Sequence, residues 1–553
     1  MLTYLLLSGP GVAGRDAAAL DARVRAAAPK VLLQVAEAAL WADDAGGCLL
    51  WTWESATEKV GGRHVHATER GVLALAGSAW SRTSWETAAS LAQTGDVSAD
   101  PAKMRDALTG SFSAVSISTG GRGFVTTDAT GTGHVHLARG GDVWAVSNRA
   151  PLAAIGLYGD WEPDVEAQAW MAMHAFFDAT STSVRGVELL PASSAVRVAP
   201  GTVPVLDVGT TPWEVGAFSS IGVEEALDDA AHALVEQAGT IASTTVATPV
   251  VSLSGGKDSR LVLAALRAAG CAGDIKFRTV GMPGASDRET AVLLADAYGL
   301  DLEIQEPGVD TGPTLLELDQ RVRRHAFQTA GMFGAWNLQG FYGNSTEINA
   351  TGLYGELMRT IYRFDQPLDT PDRAIDHLQN GMGWDRQRML RPHVREALDE
   401  KLASWARFRM SQGWTPRSLL DLFYAEMRVR RWLGTAEETN TLNATANLLQ
   451  LKECIIAGFA AEPDARSRDE LHYRLIERLD PSLLTVPLAH VHWDSSLAAP
   501  DGPGNPTPVH STVEGSEAWQ IRGWSSHRRL TGPSYWRATT RCTRFSTRPA
   551  SDE

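Results

Sequence analysis

Near the middle of the chain stands the stretch Val250-Val251-Ser252-Leu253-Ser254-Gly255-Gly256-Lys257-Asp258-Ser259-Arg260. Its apolar start is typical of a short buried strand, the two glycines mark a turn, and residues 261–269 favour a helix with an apolar face. Glycines let the backbone approach an anion closely, and the first turn of a helix presents unpaired N–H groups and the positive end of its dipole. The stretch therefore predicts a cradle for phosphate oxygens.

The side chains of this stretch suit a nucleotide. Ser254 and Ser259 add hydroxyl groups, and Asp258 can hold Mg²⁺. A Walker loop needs a different glycine spacing, so Lys257 is not a Walker lysine. The order Ser-Gly-Gly-x-Asp-Ser resembles the loop of ATP pyrophosphatases, which release pyrophosphate and leave AMP on an acyl oxygen. That resemblance implies that Ser254, Gly255, Gly256, Asp258 and Ser259 bind ATP.

Composition sets the outer bounds of the protein. With 553 residues, 44% hydrophobic and 21% charged, the chain predicts two globular domains, with a tail as a further option. A formal net charge of −15 argues against a binder of duplex nucleic acid. No run approaches the ~18 apolar residues of a membrane helix. The apolar start reads as a first strand and not as a signal peptide, so we expect a cytoplasmic protein that binds neither nucleic acid nor membrane.

The pattern of predicted strands and helices changes near residue 215. Before it, short alternating segments with glycine turns predict an antiparallel sheet, with helices near 15–27 and 164–178 completing an α+β layer. After it, predicted helices alternate with predicted strands, as in a parallel, doubly wound sheet. These predicted helices span 222–242, 259–269 and 286–298, and the strands span 249–253, 275–281 and 302–305. Beyond about 315 we expect mostly helix, including 333–342, 372–410 and 417–432.

At this point the chain resembles the class B asparagine synthetase superfamily, from about residue 105 to 495. In the first domain the likeness is carried by residues 110–115, 127–131, 143–148 and 190–192. It implies a domain at 1–215 with the Ntn-hydrolase-like sandwich of a glutamine amidotransferase. In glutamine-using members a cysteine directly follows the initiator methionine, whereas Leu2 stands there in this chain. A leucine cannot attack an amide, so the domain is expected to be degenerate.

The second domain, 216–500, is expected to be an ATP pyrophosphatase domain with a helical C-terminal part. Residues 279–287 resemble the family's second strand and its adenine-contacting turn, which implies main-chain contacts from Val280 and Gly281. Residues 350–357 resemble a nucleotide-binding segment, which implies contacts from Thr351 and Gly352. Glu356 falls where the family has an aspartate, so Asp258 and Glu356 are the predicted magnesium ligands.

The position that moves a proton in related enzymes differs in this chain. Leu353 stands where asparagine synthetases have a glutamate and β-lactam synthetases a tyrosine, and leucine moves no proton. Tyr354 can serve if the turn is shifted, or it is a packed aromatic residue. In the β-lactam branch a glutamate partners the tyrosine, and Glu437 and Glu438 occupy a comparable region. Tyr354 and Glu438 are the predicted catalytic residues.

Related enzymes also use a late lysine to stabilise charge on the adenylate. This chain has no lysine from Glu453 to its end. His490, His492 and Arg522 are candidates by position, each with packing as the plainer interpretation, and Lys257 is a third predicted catalytic residue. The arginine-rich extension 501–553 is either a solvated tail or a surface for an acidic partner.

Taken together, the resemblance implies an AMP-forming amide ligase that uses ATP and Mg²⁺ without hydrolysing glutamine. Its preferred form is macrolactam closure of a lasso peptide, with a precursor peptide as substrate and with a leader peptidase and a leader-binding protein as partners. One alternative is a β-lactam synthetase or another amide synthetase that joins a small carboxylate to an amine. A nucleotide-binding scaffold that has lost catalysis is the alternative from a different class.

Overall fold

The computed structural model describes residues 2–31, 38–54, 64–306, 332, 346–362, 368–381, 390–439 and 444–513, without the side chains of residues 30, 31, 381, 438 and 439. In these ranges, none of the helices combines the length and the apolar character that crossing a membrane requires.

The described strands form three sheets. Two have six strands, in the orders β10-β8-β9-β1-β3-β2 and β12-β11-β7-β6-β5-β4, and the third has five, in the order β15-β14-β13-β16-β17. Their bounds are β1 Leu2–Ser8, β2 Ala39–Ala42, β3 Cys48–Glu54, β4 Val65–Thr68, β5 Gly71–Gly77, β6 Phe112–Ser118, β7 Gly123–Thr127, β8 His136–Gly140, β9 Val143–Ser147, β10 Val187–Leu189, β11 Ser194–Val198, β12 Val205–Val208, β13 Thr248–Ser252, β14 Lys276–Val280, β15 Asp301–Gln305, β16 Glu347–Thr351 and β17 Ala444–Asn447.

Helices connect and cover these sheets. The α-helices are Ala17–Val31, Ala88–Gln93, Gly95–Ala99, Pro101–Ala107, Ala150–Tyr158, Val165–His174, Val215–Phe218, Val223–Ala242, Lys257–Ala268, Ser286–Tyr298, Pro371–Asp376, Pro392–Ser411, Leu419–Phe423, Arg430–Thr439, Lys452–Ala460, Pro463–Ser467 and Glu470–Leu479. Short 3-10 turns lie at Ala272–Asp274, Gly355–Met358, Leu448–Gln450 and Pro481–Thr485, and π-helical turns at His377–Gly381 and Tyr424–Val429.

The first strand explains the layering of the N-terminal part. Leu2, Tyr4 and Leu6 of β1 enter a core shared by the two antiparallel sheets. The alternate residues Leu5 and Leu7 enter a second core, which includes residues of the helices Ala17–Val31 and Ala150–Tyr158. Because successive side chains of a strand point to opposite faces, the continuous apolar run of β1 is buried on both sides. The predicted antiparallel N-terminal region is therefore confirmed, as two stacked sheets with helices outside.

The third sheet is parallel throughout its described strands, as the alternation of helices and strands predicts. β13 lies at its centre, with β14 and then β15 on one side and β16 and then β17 on the other. The chain thus reverses its direction of winding between β13 and β16. Ligands of open parallel sheets bind in the crevice that such a reversal opens at the carboxyl ends of the strands.

The helical region after this sheet is more interrupted than predicted. Where one helix was expected over 372–410, the described residues form Pro371–Asp376, a π-helical turn and Pro392–Ser411. Arg391 is extended because it precedes Pro392, and a proline disfavours the helical conformation of the residue before it. The expected helix 417–432 contains the π-helical turn Tyr424–Val429. The expected helix 333–342 lies outside the described residues.

A buried arginine joins the N-terminal and C-terminal parts. Arg430 donates hydrogen bonds to the carbonyl oxygens of Ala179, over 2.8 Å, and of Leu190, and more weakly to that of Gly131 over 3.4 Å. Burial lowers the pKa of Arg430 to about 9. The guanidinium group of one part therefore finds its hydrogen-bond acceptors in the other.

The segment before the undescribed C-terminal residues packs against the second part. Val509 forms an isolated bridge with Ala489, and Thr512 N donates to Gly284 O over 3.0 Å. The side chain of the buried Asn505 binds the backbone of Trp493. Its Oδ1 accepts the N–H of Trp493, and its Nδ2 donates to the carbonyl oxygen of Trp493. The arginines of the expected basic tail, including Arg522, lie outside the described residues.

Candidate functional site

The glycine loop follows β13 and leads into the helix Lys257–Ala268, as predicted. The hydroxyl groups of Ser254 and Ser259 lie 3.0 Å apart, and Ser254 Oγ accepts the N–H of Gly256 over 3.2 Å. Gly255 N donates to Asp287 Oδ1 over 3.0 Å. Gly256 stands at the N-cap of the helix without a side-chain cap, so the loop is fixed by its own hydroxyl groups in front of the positive helix end.

Gly255 is required by close packing. A Cβ atom at this position would lie 2.4 Å from the Cβ of Ala489 and 2.9 Å from that of Thr290. Ala489 N also donates to Gly255 O over 3.1 Å. The late segment around Ala489 therefore closes directly over the loop.

Asp258 is the centre of a charged cluster. Its Oδ2 accepts from Arg359 Nη2 over 2.7 Å, and its Oδ1 lies 2.8 Å from Nε2 of the buried His472. Burial alone would raise the pKa of Asp258, but the hydrogen bond from His472 and the charge of Arg359 outweigh it and hold the pKa below its usual range. Asp258 is therefore a carboxylate with two positive or polar partners.

Two glycines make room for this aspartate. A Cβ atom at Gly352 would lie 2.8 Å from the carbonyl carbon of Asp258, and one at Gly355 would lie 2.2 Å from its Oδ1. Gly352 and Gly355 follow β16, the strand beside β13. The structure thus brings the predicted residues Asp258 and Gly352 together at the reversal of winding.

Glu356 lies near Asp258 and carries an unsatisfied oxygen. Its Oε2 is buried and has no hydrogen-bond partner in the described part of the chain. Burial and the charge of Asp258 raise the pKa of Glu356. The described residues contain no group of three or more metal-ligating side chains. Two carboxylates, one of them unsatisfied, instead fit Mg²⁺ that also binds substrate phosphates, since Mg²⁺ usually takes one or two protein carboxylates.

Lys257 points into the protein. Its Nζ donates to Asp469 Oδ2 over 2.5 Å and lies 4.8 Å from the centre of the Trp493 ring. The ammonium group is therefore neutralised by Asp469 in this structure, and its role in charge stabilisation stays a prediction.

The other predicted nucleotide contacts lie at the carboxyl ends of neighbouring strands. Val280 ends β14 and is 58% exposed, which is unusual for a valine beside a buried loop. Gly281 N donates to Gln305 O of β15 over 3.0 Å, so this amide is already used within the sheet. Thr351 ends β16, and its Oγ1 donates to Asn447 Oδ1 over 2.6 Å.

A third carboxylate reaches the same edge from the helix Arg430–Thr439. Glu437 accepts from Asn447 Nδ2 over 2.9 Å and from the hydroxyl group of Thr445. Burial raises the pKa of Glu437. Through Asn447 the carboxylate is linked to Thr351 and so to the turn that carries Leu353. The side chain of Glu438, the predicted catalytic residue, lies outside the described part.

Tyr354 turns away from the loop. It is fully buried, and its hydroxyl group lies 3.1 Å from Ser111 Oγ in the N-terminal part. Burial and the charges of Glu437 and Asp128 raise the pKa of Tyr354 well above its usual value. Tyr354 adopts a left-handed backbone conformation with φ of 75°, and it is buried whereas the preceding Leu353 is 36% exposed. The geometry is that of a packed aromatic residue.

The late histidines lie on the segment that closes over the loop. His490 Nε2 hydrogen-bonds with the hydroxyl group of Ser286 at the start of the helix Ser286–Tyr298, and His490 has a positive φ of 64°. His492 Nδ1 lies 3.3 Å from Asn505 Oδ1. His490 is therefore the nearer of the two to the loop, one residue after Ala489.

Leu2, where the resemblance would place a glutaminase nucleophile, packs in the core in this structure. Leu2 is 2% exposed and lies in the core between the two antiparallel sheets. Asn148 Nδ2 donates to Leu2 O over 2.9 Å, so backbone and side chain are both held. Cys48 is also buried, and burial raises the pKa of its thiol to about 11, which leaves little thiolate at neutral pH.

Arg359, His472 and Asp287 join the site without having been predicted. His472 lies 214 residues after Asp258, and no local motif connects them. Arg359 follows Glu356 by three positions, so a basic residue directly after the nucleotide-binding segment was the available signal. Asp287 is the second residue of the helix Ser286–Tyr298 and the last residue of the segment predicted to form the adenine turn.

Comparison with known proteins leaves the family open. No protein family and no curated protein matches the chain. Among solved structures, glutamine phosphoribosylpyrophosphate amidotransferase from B. subtilis, complexed with ADP and GMP, is 10% identical, with a TM-score of 0.24 over 51% of this chain and 66% of that chain. An allosteric regulatory enzyme of purine biosynthesis is 9% identical, with a TM-score of 0.24 over 55% and 80%. The chain thus spans just under two thirds of the first structure, and similarities this weak carry no argument about chemistry.

Proposed function

We propose that the protein is an ATP-dependent, AMP-forming amide synthetase that resembles the class B asparagine synthetases. The observation that carries the proposal is the position of Asp258, at a glycine loop before a helix and beside the unsatisfied carboxylate of Glu356. Both lie where the parallel sheet reverses its winding. Phosphate oxygens suit the loop, and a magnesium ion that they share suits the two carboxylates.

The proposed reaction has two steps. A substrate carboxylate oxygen attacks the α-phosphorus of ATP, which forms an acyl adenylate and releases pyrophosphate. An amine then attacks the acyl carbon, which forms the amide, releases AMP and loses one proton. Bound Mg²⁺ supplies charge neutralisation on the phosphates. The loop hydroxyl groups and the helix start would orient the phosphates, Asp258 would hold the metal, and Arg359 would add a positive charge beside Asp258.

The proton of the second step needs an acceptor, and Glu437 is suited to that role. Its pKa is raised by burial, which brings a carboxylate closer to the range of an effective general base. The hydrogen bonds from Thr445 and Asn447 fix its orientation beside Thr351. Glu437, and not Tyr354, is therefore the preferred proton acceptor among the described side chains.

The amine comes from the substrate or from a second substrate, since Leu2 leaves the N-terminal part without its nucleophile. Leu353 in place of the β-lactam branch's tyrosine weakens the small-ring reaction. Closure of a lasso peptide, in which a side-chain carboxylate joins the N-terminal amine of the same precursor, is the preferred form. A leader peptidase and a leader-binding protein would then be its partners, and small-molecule amide synthesis is the alternative.

Calorimetry and pyrophosphate measurement test the proposal together. We expect micromolar to millimolar ATP binding in the presence of Mg²⁺, and pyrophosphate release that depends on an added carboxylic acid or precursor peptide. Mass spectrometry of the peptide product would show the loss of one water. ATP binding without turnover would instead support a scaffold, and a complete lack of ATP binding would contradict both functions.

A further inference from the structure

A half-buried arginine near the proposed site lacks an acceptor. Arg428 lies in the π-helical turn Tyr424–Val429, with its guanidinium carbon 4.3 Å from the centre of the Trp432 ring and 5.6 Å from that of Phe176. Within the described ranges, it makes no hydrogen bond and no ion pair. The guanidinium group thus lies against two aromatic rings, and its N–H groups have no acceptor among the described residues.

Neighbouring arginines behave differently. Arg430 donates to three carbonyl oxygens, Arg409 pairs with Glu426, and Arg466 pairs with Asp421 over 3.2 Å. Each of these buried or half-buried arginines is thus satisfied by the fold itself. Of these four arginines, Arg428 is the one without an acceptor in the described part of the chain, so a ligand can supply one.

Two tyrosines lie near Arg428: Tyr424 in the same π-helical turn, and Tyr362 packed against it. The rings of Tyr362 and Tyr424 pack edge to face with their centres 5.3 Å apart, and both residues are half-buried. Within the described ranges neither hydroxyl group has a hydrogen-bond partner. Burial raises the pKa of Tyr362 to about 12, while the charge of Arg428 acts in the opposite direction. Both hydroxyl groups therefore remain protonated donors near neutral pH.

This cluster adjoins the nucleotide-binding residues. Burial raises the pKa of Tyr424 well above its usual value, and the charge of Glu356 raises it further, while Arg428 and Arg359 lower it. Tyr362, whose ring packs against that of Tyr424, follows Arg359 by three positions in the chain. The two tyrosines therefore connect the π-helical turn of Arg428 with the segment that carries Arg359.

We infer that Arg428, Tyr362 and Tyr424 form the subsite that binds the carboxylate of the acyl substrate. The inference rests on the proposed function and names where its carboxylate is held. A guanidinium fork binds a carboxylate through two parallel hydrogen bonds, and partial burial strengthens them. Single π-helical turns often occur at functional sites, because they redirect side chains within a helix.

Chemical labelling tests the subsite without requiring turnover. Phenylglyoxal modifies exposed guanidinium groups, and mass mapping of the full-length protein reports each arginine separately. We expect N-acetylglutamate or hippurate to slow labelling of Arg428 at least about threefold, because a bound carboxylate occupies its edge. The matched amides N-acetylglutamine and hippuramide should give no protection, and the exposed Arg417 should label equally in all samples.

Two outcomes would overturn the subsite. In one, neither carboxylate protects Arg428. In the other, inorganic pyrophosphate protects it while the carboxylates do not, which would assign Arg428 to the nucleotide. ATP calorimetry on the same protein separates the two proposals, since ATP binding with an unprotected Arg428 leaves the proposed function standing. Protection of Arg428 without ATP binding would support a carboxylate site and contradict the proposed ATP-dependent function.

Substitution gives a second test. Arg428→Lys keeps the charge but removes the fork, so we expect the KM for the carboxylate to rise about tenfold. The KM for ATP should stay within about twofold. Arg417→Lys is the matched control. Equal effects on both KM values would show that Arg428 only supports the fold.

Discussion

The hydroxyl groups of Tyr354 and Ser111 lie 3.1 Å apart, across the boundary between the antiparallel and the parallel sheets. Ser111 also contacts Thr132 and Gln450, so the tyrosine belongs to a polar network between the two parts. Tyr354, which lies beside the glycines predicted to bind nucleotide, therefore hydrogen-bonds to the N-terminal part.

This relationship predicts the result of Tyr354→Phe. The ring still fills its place, and only one hydrogen bond is lost, so we expect the free energy of unfolding to fall by about 1 kcal/mol in a urea titration. Pyrophosphate release should be unchanged. A fall in turnover with normal stability would show that the hydroxyl group of Tyr354 takes part in the reaction.

Asp258→Asn should reduce pyrophosphate release by at least about a hundredfold, because the variant loses a metal ligand and leaves Arg359 and His472 without their anion. Circular dichroism should show an intact fold. Asp229→Asn, on the exposed side of the helix Val223–Ala242, is the matched control. Full activity of Asp258→Asn would remove the proposed metal role.

Glu437→Gln should separate the two proposed steps. Carboxylate-dependent pyrophosphate exchange should stay within about twofold, while amide formation should fall by about a hundredfold or more. A base must be ionised, and burial raises the pKa of Glu437, so wild-type amide formation should decline as pH falls through that raised pKa. The variant should lack this decline. Glu396→Gln, at an exposed position, should behave as wild type. Equal loss of both steps would contradict a proton-accepting role.

Leu2→Cys should not create glutaminase activity. The side chain at this position faces the core between two sheets, and its backbone is paired with Glu54 and held by Asn148. A coupled assay for ammonia should stay at the background of the unchanged protein. Ammonia release above that background would show that the N-terminal part retains a working pocket.

His174 should make the protein less stable in mild acid. Burial lowers the pKa of His174 from 6.5 to about 4. Between pH 6.5 and 4, this histidine is therefore protonated in the unfolded chain and neutral in the folded chain. The free energy of unfolding should then fall as pH drops from 6.5 towards 4, by about 2 kcal/mol at pH 5.

His174→Leu should lose this part of the pH dependence, whatever its stability at pH 7.5. His393→Gln, at an exposed position, is the control. Urea titrations at pH 7.5 and 5 supply the comparison. An equal acid sensitivity of wild type and His174→Leu would assign the effect to other groups.

The sequence was most informative about those parts of the candidate site whose predicted residues are consecutive in the chain. The loop at Ser254 and the glycines near Thr351 each occupy one short segment, so strand, turn and helix signals agree there. Contacts between distant segments could not be inferred in the same way. The pairing of Asp258 with His472, and the direction of Tyr354, depend on packing between elements that are far apart in the chain. Short edge strands such as β2 and β12 carry too few residues to display an alternating pattern.

The acceptors of Arg430 have a consequence for how the chain can be divided. A fragment that begins after β12 would lose these carbonyl oxygens, and it would expose the side of the apolar core that Trp80, Trp170 and Phe177 cover in the whole protein. The N-terminal part thus covers apolar surface of its neighbour and supplies the acceptors of Arg430. Separate expression of the C-terminal part should therefore yield insoluble material, even though that part holds the complete nucleotide loop.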